Sequence, residues 1–511
     1  PGERIHILGI AGAGASAAAL LAKAAGAVVT GCDPGGPSPY TRALEAARIP
    51  IEWSHNPAHV GVTPPPDRLA VTKALTAISP DHPELQAARA AGIPVGSWQQ
   101  VVSDAASGRA VAAVAGTHGK STTAGWLTWL LAETGEDPSA FVGALLPASL
   151  TGGVPATARL GQGTPFVIEA DEYAGNFDPY RPSVAIVTTV EWDHPDVFAD
   201  RAAVIEAFAA WLERVPAATI VANLDDAGVR ELLAHLERRG TRTGPVTGYS
   251  TGSGAVPAAA GAAMRSIGAG ANAPAAAAPS VVVDEQISAE IVERTPAGTI
   301  VDIEGVADGS RRVHLPTVGD HNVGNALAAL GAARALAGGG DPDRRTDADR
   351  LLWALGSFPG IGRRLERKGE ARGVAVYDDY GHHPTAIRAT LAAIREREPG
   401  RRIWAVYEPL TFHRTAAMLD AFADALAEAD AVAIADIWAS RDPDTLITSP
   451  GALAAAVRTR RPGMTAFAPG SVEATAAWLA REVRDGDAVL VMGGGRSYRI
   501  AELLLETLQG S

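Results

Sequence analysis

Short runs of β-branched and other apolar residues alternate along the chain with longer stretches rich in Ala, Leu and Arg. This alternation predicts repeated strand–helix–strand units, which build parallel sheets covered by helices. Most candidate strands are followed directly by polar or Gly-rich residues. Because ligands of such sheets bind beyond the carboxyl ends of the strands, we expect the functional residues there. The candidate strands are Arg4–Gly9, Val111–Ala115, Phe166–Glu169, Val184–Val190, Thr219–Asn223, Val374–Tyr377, Ile403–Tyr407, Ala431–Ala435 and Ala488–Met492.

Two interruptions of this pattern divide the chain into three α/β domains. The first is a Ser- and Gly-containing stretch at Ser103–Arg109, and the second is a cluster of Pro and Gly at Phe358–Gly362. The predicted domains span residues 1–106, 107–358 and 359–511, a division that suits a chain of 511 residues. Residues 251–280 consist mostly of Ala, Gly, Pro and Ser. That composition cannot specify a packed core, so we expect a surface insertion without chemistry.

Composition narrows the class of protein. The net charge of −13 argues against nucleic acid as a partner. The chain has one cysteine, Cys32, which excludes an internal disulfide and a Cys-rich zinc or iron–sulfur site. No apolar run reaches the ~18–20 residues of a membrane span, and no leader with a cleavage site opens the chain. We therefore expect a cytoplasmic protein with no membrane or nucleic-acid partner.

A glycine-rich turn between a strand and a helix is the sharpest local signal. Residues 111–126 are VAAVAGTHGKSTTAGW, a context typical of a phosphate loop. Lys120 is expected to reach the terminal phosphates of a nucleotide, and the hydroxyl of Ser121 to bind Mg²⁺. Lysine is rare among the 44 basic residues, which strengthens this interpretation. Against it, Val114 stands where the usual motif has Gly, and a Gly/Ser/Thr turn can also simply cap a helix.

Acidic residues follow two further strands. The segment FVIEADEY at 166–173 includes Glu169, and the segment EWDH at 191–194 ends in His194. If these strand ends converge beside the phosphate loop, they form a divalent-metal site of the kind that phosphoryl transfer needs. The alternative is that the carboxylates cap helices or lie in solvated turns.

Three later clusters carry polar residues in a dense pattern. Residues 319–325 are GDHNVGN, which can cap the helix that follows. Residues 362–366 are GRRLE, whose arginines could contact a phosphate or lie on the surface. Residues 377–384 are YDDYGHHP, and two acids, two histidines and two tyrosines at one strand end favour a functional role.

The N-terminal turn resembles a dinucleotide fingerprint. The sequence IHILGIAGAGASAAALL at 5–21 places Gly12 and Gly14 between a strand and a helix, and Asp33 closes the next strand. Taken alone, this turn suggests an NAD-dependent oxidoreductase. A simple dehydrogenase does not need the phosphate loop in the middle of the chain, so the turn indicates only that a phosphate-bearing nucleotide binds there.

These motifs, in this order, resemble the Mur ligase family of ATP-dependent amino-acid ligases of peptidoglycan synthesis. The resemblance covers essentially the whole chain apart from residues 251–280. The blocks that carry it are GTHGKSTT at 116–123, EADEY at 169–173, DH at 193–194, HNVGN at 321–325, GRRLE at 362–366 and YDDYGHHPTAI at 377–387. It implies an N-terminal Rossmann-like UDP-binding domain, a central P-loop ATPase-type domain with a parallel sheet, and a C-terminal Rossmann-like domain.

The resemblance also implies a reaction. It is greatest to the branch that joins L-alanine to the lactyl carboxylate of UDP-N-acetylmuramate through an acyl phosphate, with release of ADP. This branch lacks the carbamylated lysine of the others, and residues 195–216 contain no lysine. However, Leu410 stands where the family has His, Thr411 stands where some members have Arg, and several blocks look more like the sister branch that attaches the tripeptide L-Ala-γ-D-Glu-meso-diaminopimelate. A nucleotide-binding protein without ligase activity, or an oxidoreductase, remains the alternative from another class.

Roles for individual residues follow from the resemblance. The residues implied for ATP are Gly116, Thr117, His118, Gly119, Lys120, Ser121, Thr122, His321, Asn325, Arg364 and Asp379. Those implied for the UDP-sugar are Gly12, Gly14, Ala15, Ser16 and Asp33. Those implied for Mg²⁺, or Mn²⁺, are Ser121, Glu169 and His194. Those implied for the amino acid are Tyr380 and Arg414, and the expected catalytic residues are Lys120, His194, His383 and Arg414.

The catalytic base and the oligomeric state stay open. His382, His383 and Tyr380 are all candidates for removing or positioning the proton of the amine. Both a monomer and a homodimer are compatible with the sequence.

Overall fold

The computed structural model describes residues 2–510 except 242, 253–264, 267–281, 338–347, 440, 441 and 443. Almost all of the predicted insertion at 251–280 lies outside the described residues. All the candidate strands are confirmed, with ends that differ by at most three residues, and Thr219–Asn223 and Ala431–Ala435 are unchanged. The largest difference is at Val184–Val187, which the sequence pattern extends to Val190. Thr188 and Thr189 leave the sheet there because their polar atoms bond to the turn at 115–118.

The N-terminal sheet is parallel throughout the described residues, in the strand order β3-β2-β1-β4-β5. A 3₁₀ turn at Pro57–His59 precedes β4. The strands are β1 Arg4–Leu8, β2 Val28–Cys32, β3 Ile51–Glu52, β4 Arg68–Val71 and β5 Val95–Ser97. The helices are α1 Ala13–Ala24, α2 Thr41–Ala46, α3 Lys73–Ile78, α4 Pro83–Ala90 and α5 Trp98–Ala105.

The middle sheet has ten strands among the described residues, in the order β17-β16-β15-β12-β11-β10-β6-β9-β7-β8. It is parallel from β7 to β15 and antiparallel at both edges. Its strands, with the separate pair β13–β14, are β6 Ala110–Ala115, β7 Ser139–Leu146, β8 Ala156–Arg159, β9 Pro165–Ala170, β10 Val184–Val187, β11 Thr219–Asn223, β12 Val246–Thr251, β13 Arg265–Ser266, β14 Val282–Val283, β15 Glu285–Thr295, β16 Gly298–Ala307 and β17 Gly309–Leu315. The helices are α6 Lys120–Glu133, α7 Arg201–Glu213, α8 Ala227–Arg238, α9 Asp320–Leu336 and α10 Ala348–Leu355, with a 3₁₀ turn at Tyr173–Gly175.

The C-terminal sheet has the order β18-β19-β23-β20-β21-β22 and is parallel except for β18 at its edge. The strands are β18 Glu366–Ala371, β19 Val374–Asp379, β20 Arg402–Glu408, β21 Ala431–Ala435, β22 Thr465–Gly470 and β23 Asp487–Gly493. The helices are α11 Pro384–Arg397, α12 Phe412–Ala417, α13 Leu419–Leu426, α14 Pro450–Arg460, α15 Val472–Glu482 and α16 Tyr498–Gly510.

Strand β6 shows why the central strands are apolar along their whole length. Successive side chains of a strand point to opposite faces, and helices cover both faces of this sheet. Ala113 and Ala115 pack in the core beneath α7 and α8, whereas Ala112 and Val114 pack beneath α6 and α9. Val114 is therefore a core residue of the strand and is not part of the loop that follows it.

None of the helices in the described part of the chain is both long enough and apolar enough to cross a membrane.

The stacked pair Trp126–Phe358 predicts a large contribution to stability. The rings are 4.6 Å apart, Trp126 is fully buried, and its Nε1 donates to the carbonyl oxygen of Leu355 at 3.1 Å. Trp126→Ala is expected to lower the free energy of unfolding by about 3–5 kcal/mol, for the unfolding transition that includes the middle sheet. Urea denaturation followed by circular dichroism measures this change. Trp353→Ala is the matched control, because Trp353 is 63% exposed, and its effect should stay within about 0.5 kcal/mol. A similar loss in both variants would contradict the packing argument.

Candidate functional site

The carboxyl ends of strands from all three sheets surround a cavity of about 630 Å³. Its lining brings together residues that are far apart in the chain. Among them are Gly14 and Trp98 from the N-terminal part, residues 117–122, Glu169 and His194 from the middle part, and Arg364, Tyr380 and His383 from the C-terminal part. The motifs that the sequence places at strand ends therefore meet at one site.

The loop after β6 packs so tightly that two of its positions require glycine. Gly116 has a φ of +138°, and a Cβ there would lie 2.1 Å from Thr188 Oγ1. Gly119 has a φ of +79°, and a Cβ there would lie 2.4 Å from Asn325 Oδ1. The turn they form leads directly into α6, whose first residues line the cavity. The N-terminus of a helix attracts anions, so this end of the cavity suits phosphate.

Lys120 carries a partly buried ammonium held by backbone and carboxylate oxygens. Its Nζ donates to the carbonyl oxygen of Gly116 at 2.6 Å and to Glu172 Oε2 at 2.9 Å, and Asp171 lies 3.6 Å away. Burial alone would lower the pKa of Lys120, but these carboxylates raise it above its ordinary value. Glu172 is a site residue that the sequence analysis did not assign, although its position beside Asp171 after β9 pointed to it.

Ser121 and Glu169 lie together, as expected for shared metal ligands. Ser121 Oγ donates to Glu169 Oε1 at 2.9 Å, and the other carboxylate oxygen of Glu169 accepts from the backbone N–H of Gly143 at 2.6 Å. Arg364 reaches across from the C-terminal part and donates to Ser121 Oγ at 2.6 Å. The phosphate loop thus has a guanidinium from the C-terminal part at its edge.

His194 belongs to a second group of possible ligands. One ligand atom each from Asp171, Glu172 and His194 lies within 4.8 Å of the others. Glu172 Oε1 is buried and has no hydrogen-bond partner among the described residues. Such an orphaned oxygen, in a site rich in carboxylates, fits a hard divalent cation such as Mg²⁺. The expected ligand set therefore falls into two adjacent groups, Ser121 with Glu169 and His194 with Asp171 and Glu172.

Arg414 is buried at the seam between the middle and C-terminal parts. Its guanidinium pairs with Asp193, and its Nη2 lies 3.4 Å from His194 Nδ1. Asp193 is almost fully buried; burial would raise its pKa, but His194 and Arg414 hold it well below the ordinary value. Arg414 does not itself line the cavity. Asp193 lies between Arg414 and the open space of the cavity. Asp193 belongs to the EWDH segment, but the sequence analysis did not assign it a role.

His383 packs against the phosphate loop. Its ring lies 4.6 Å from the ring of His118, whose Nε2 is 3.1 Å from Glu191 Oε2, and Thr385 Oγ1 donates to the same oxygen at 2.8 Å. Burial, together with the neighbouring His118, lowers the pKa of His383 to about 4. The imidazole of His383 is therefore neutral near pH 7.

Tyr380 and Asp379 shape the loop that carries Arg364. The ring of Tyr380 lies 4.9 Å from the guanidinium carbon of Arg364 and 5.1 Å from that of Arg363. The carboxylate of Asp379 accepts from the backbone N–H groups of Leu365 and Gly381, both at 2.7 Å. Asp379, expected at ATP, thus holds two turns beside the cavity that it lines.

Two other residues expected at ATP lie at the start of α9. His321 and Asn325 both line the cavity, and Asn325 Oδ1 accepts from Thr123 Oγ1 at 3.2 Å. This hydrogen bond joins α9 to α6 behind the phosphate loop.

The residues expected at the UDP-sugar are spread over the N-terminal turn. Gly14 lines the cavity, and a Cβ there would lie 2.3 Å from the ring of Trp98. Gly12 precedes α1, and Asp33 accepts from the backbone N–H groups of residues 11 and 35. Ala15 and Ser16 are buried, and Ser16 Oγ lies 3.0 Å from Thr157 Oγ1 of the middle part. The structure therefore places Ser16 in a contact between domains, and Trp98 beside the cavity, where the sequence analysis had not assigned it.

Three family models match consecutive parts of the chain. Residues 4–110 match the Mur ligase family catalytic domain, residues 114–333 match the Mur ligase middle domain, and residues 363–495 match the glutamate ligase domain of Mur ligases. The chain belongs to the Mur ligase family. The three-domain α/β fold expected from the resemblance is confirmed, and a Gly-rich turn at 9–14 in a Mur ligase does not imply a dehydrogenase.

Individual relatives match nearly the whole length of this chain. It is 39% identical to a UDP-N-acetylmuramate–L-alanine ligase from Kineococcus radiotolerans over 99% of this chain and 96% of the relative. Among solved structures, the UDP-N-acetylmuramate–alanine ligase of Thermotoga maritima matches with a TM-score of 0.73 and 23% identity over 98% of each chain, which bears on the fold alone. The murein peptide ligase of Psychrobacter arcticus matches with a TM-score of 0.71 and 26% identity over 100% of this chain and 99% of that one.

The neutral state of His383 gives a pH-dependent prediction. Its pKa of about 4 lies below the ~6.5 of a free histidine, so the folded state favours the neutral ring. The neutral ring contributes fully to the free energy of unfolding above pH ~6.5. This contribution is lost as the pH falls from there towards 4, because the unfolded state takes up the proton first. An NMR titration of the ring nitrogens, assigned by comparison with His383→Gln, should give a midpoint near 4. A midpoint at the free-histidine value would show that the ring is hydrated in solution.

Proposed function

We propose that this Mur ligase joins L-alanine to the lactyl carboxylate of UDP-N-acetylmuramate, using ATP and releasing ADP, in cytoplasmic peptidoglycan precursor synthesis. The observation that carries the proposal is the 39% identity, over nearly the whole chain, to a protein named for that reaction. The cavity supports it, because the phosphate loop faces residues of both other parts there. The working unit is a monomer or a homodimer, built from domains at 1–106, 107–358 and 359–511.

ATP is proposed to bind with its phosphates on the loop at 116–122. The amides at the start of α6 and the ammonium of Lys120 hold the phosphates, and Arg364 contacts them from the opposite side. His321 and Asn325 lie towards the adenine, and Asp379 acts on the nucleotide through the loop that it holds. His118, beside His383, completes the wall of this site.

Mg²⁺, or Mn²⁺ in its place, would be held by the two groups of ligands beside the loop. Ser121 and Glu169 form one group, and His194 with Asp171 and Glu172 forms the other. When bound, the cation supplies positive charge that neutralises the β- and γ-phosphate oxygens.

The chemical problem is that a carboxylate is a poor acyl donor. Transfer of the γ-phosphoryl group to the lactyl carboxylate forms an acyl phosphate, whose phosphate is a good leaving group when the amine attacks. Water would hydrolyse this intermediate, so the site must close around it. The contacts that cross the seam, Arg364 to Ser121 and Arg414 to Asp193, are suited to hold the C-terminal domain closed.

The two remaining substrates are proposed to enter from opposite sides. The UDP-sugar lies along the turn of Gly12, Gly14 and Ala15 towards Asp33, with the buried Ser16 supporting the turn from behind. The carboxylate of L-alanine is proposed to reach the seam near Tyr380 and Arg414, where it would replace Asp193 as the partner of the Arg414 guanidinium and bind it in a bidentate manner. His194 lies between Arg414 and the carboxylates of the middle part, so it would position the reacting groups.

The amine must lose a proton before it attacks. His383 has a neutral imidazole near pH 7, with its Nε2 3.3 Å from the carbonyl oxygen of Trp192. Its Nδ1 accepts from the backbone N–H of Thr385 at 3.3 Å, so the ring would orient the amine by exchanging one of these two contacts, and its low pKa makes it a weak proton acceptor. His382 and Tyr380 are the other residues proposed for this role.

The identity of the amine is tested by phosphate release from ATP in the presence of UDP-N-acetylmuramate. L-Alanine is expected to support turnover, and L-Ala-γ-D-Glu-meso-diaminopimelate is expected to support none. The tripeptide is the second candidate because a murein peptide ligase matches the whole chain at 26% identity and because Leu410 lines the cavity. If only the tripeptide supports turnover, the protein is a ligase of that tripeptide. If neither amine supports turnover, the proposed ligase activity is rejected.

Replacing the loop lysine tests the proposed role of the loop. Lys120→Ala is expected to lower kcat about 100- to 1000-fold, because a preorganised charge at the transferred phosphoryl group is lost. Lys23→Ala, on the exposed side of α1, is the matched control and should keep the parental rate. Circular dichroism verifies that both variants are folded. A folded Lys120→Ala enzyme that keeps a third or more of the parental kcat would exclude the proposed role.

A further inference from the structure

A cluster of histidines, cysteine and glutamate lies in the N-terminal part, and none of its four described members lines the cavity. His6 is on β1, Cys32 ends β2, His59 is in the 3₁₀ turn, and Glu84 is in the first turn of α4. Four separate elements thus send one side chain each to the same point. His6, Cys32 and Glu84 are buried, with at most 3% of their surface exposed.

One possible ligand atom from each of the four side chains lies within 4.8 Å of the others, close enough for a shared metal ion. Glu84 carboxylate oxygens lie 3.7 Å from His6 Nε2, 3.3 Å from His59 Nδ1 and 3.4 Å from Cys32 Sγ. The two nitrogen–oxygen distances exceed the 2.7–3.2 Å of ordinary N–H···O hydrogen bonds. Bonds of about 2.0–2.3 Å from a central zinc ion place tetrahedral ligand atoms about 3.3–3.8 Å apart. The contacts to Glu84 fall in that range, those of His6 and Cys32 to Oε2 and that of His59 to Oε1.

Two of the ring nitrogens are buried and have no hydrogen-bond partner within the described residues. These are His6 Nε2 and His59 Nδ1, the atoms that face Glu84. The other ring nitrogen of His6 lies 2.8 Å from Thr30 Oγ1, its neighbour across the sheet. When Nδ1–H donates to Thr30, the ring is fixed with the lone pair of Nε2 directed into the cluster, and outer partners fix the tautomer of metal-binding histidines in this way. Buried polar atoms are costly without partners, so a cation at the centre would satisfy both nitrogens.

We propose that His6, Cys32, His59 and Glu84 bind a structural Zn²⁺ ion. Two neutral imidazoles, a thiolate and a carboxylate carry a charge of −2, which balances the ion in a buried site. On binding, the thiol of Cys32 releases its proton to solvent. Nitrogen and sulfur ligands favour zinc over Mg²⁺, which distinguishes this site from the oxygen-rich site at the phosphate loop. His55, whose Nδ1 lies 3.3 Å from Cys32 Sγ, packs beside the ligands.

The position of the site indicates what the ion does. Ile5 and Ile7 face the large core shared with the middle part, whereas Leu8 and Cys32 face a small separate core with Val60 and Leu85. A small core supplies little burial energy. The ion would join the turn at 57–59 and α4 to the neighbouring strands β1 and β2, so it stabilises this face of the sheet and takes no part in the reaction.

Cobalt substitution tests the site directly, because Cys32 is the single cysteine of the chain. The full-length, untagged protein is purified, stripped of metal, and titrated anaerobically with Co²⁺. We expect one equivalent of cobalt to give a thiolate-to-cobalt charge-transfer absorption, one equivalent of Zn²⁺ to remove it, and excess Mg²⁺ to leave it unchanged. Cobalt binding without that absorption, or no binding at all, overturns the proposal whether or not any variant folds.

Variants assign the ligands. Cys32→Ser should abolish the charge-transfer absorption, and His59→Gln should weaken Zn²⁺ binding at least about tenfold. His235→Gln is the matched control, since His235 pairs with Glu206 on the surface and should bind zinc as the parent does. If His59→Gln and the control bind zinc equally tightly, the proposed ligand set is wrong. The melting temperature of the parental protein should also fall on removal of zinc and recover when zinc is returned.

Discussion

A protein interior holds a charged side chain only where partners compensate for the lost hydration, and Lys120 is in such a place. Its ammonium joins the turn after β6 to Glu172 and Asp171 at the end of β9. The next residue, Ser121, continues the network to Glu169 and to Arg364 of the C-terminal part. One partly buried cation and its partners thus set the positions of the loop, of the acidic strand end and of the domain that closes over them.

Polar and ring contacts also join the middle and C-terminal parts at the seam between them. Asp193 is buried with Arg414 as its counter-ion, and His383 packs its ring against His118. Charged and aromatic groups from two domains therefore complete each other's hydrogen bonding. Polar contacts of this kind suit a domain that closes to exclude water and then reopens.

The family resemblance explains the loop at 116–122 and its acidic neighbours better than it explains which amine is the substrate. The loop at 116–122 and the carboxylates after β9 suit any enzyme that activates a carboxylate with ATP, whichever amine follows. The positions at which the chain departs from the pattern of the family are Leu410 and Thr411, close in the chain to Arg414, the residue proposed to hold the amino acid. Similarity to ligases of both alanine and a murein peptide is consistent with that division between a shared activation site and a variable acceptor site.

The sequence by itself determined nine of the strands, the order of the three α/β units, the glycine-rich turn before α6 and the family, because these depend on local periodicity and on residues that are adjacent in the chain. Only the tertiary structure decided the partners. Glu172 beside Lys120, Asp193 in front of Arg414, and Ser16 against Thr157 involve residues 52, 221 and 141 positions apart. The cluster of His6, Cys32, His59 and Glu84 has no spacing that marks it in the sequence. Such contacts arise where separate strands and helices pack, and local patterns carry no information about that geometry.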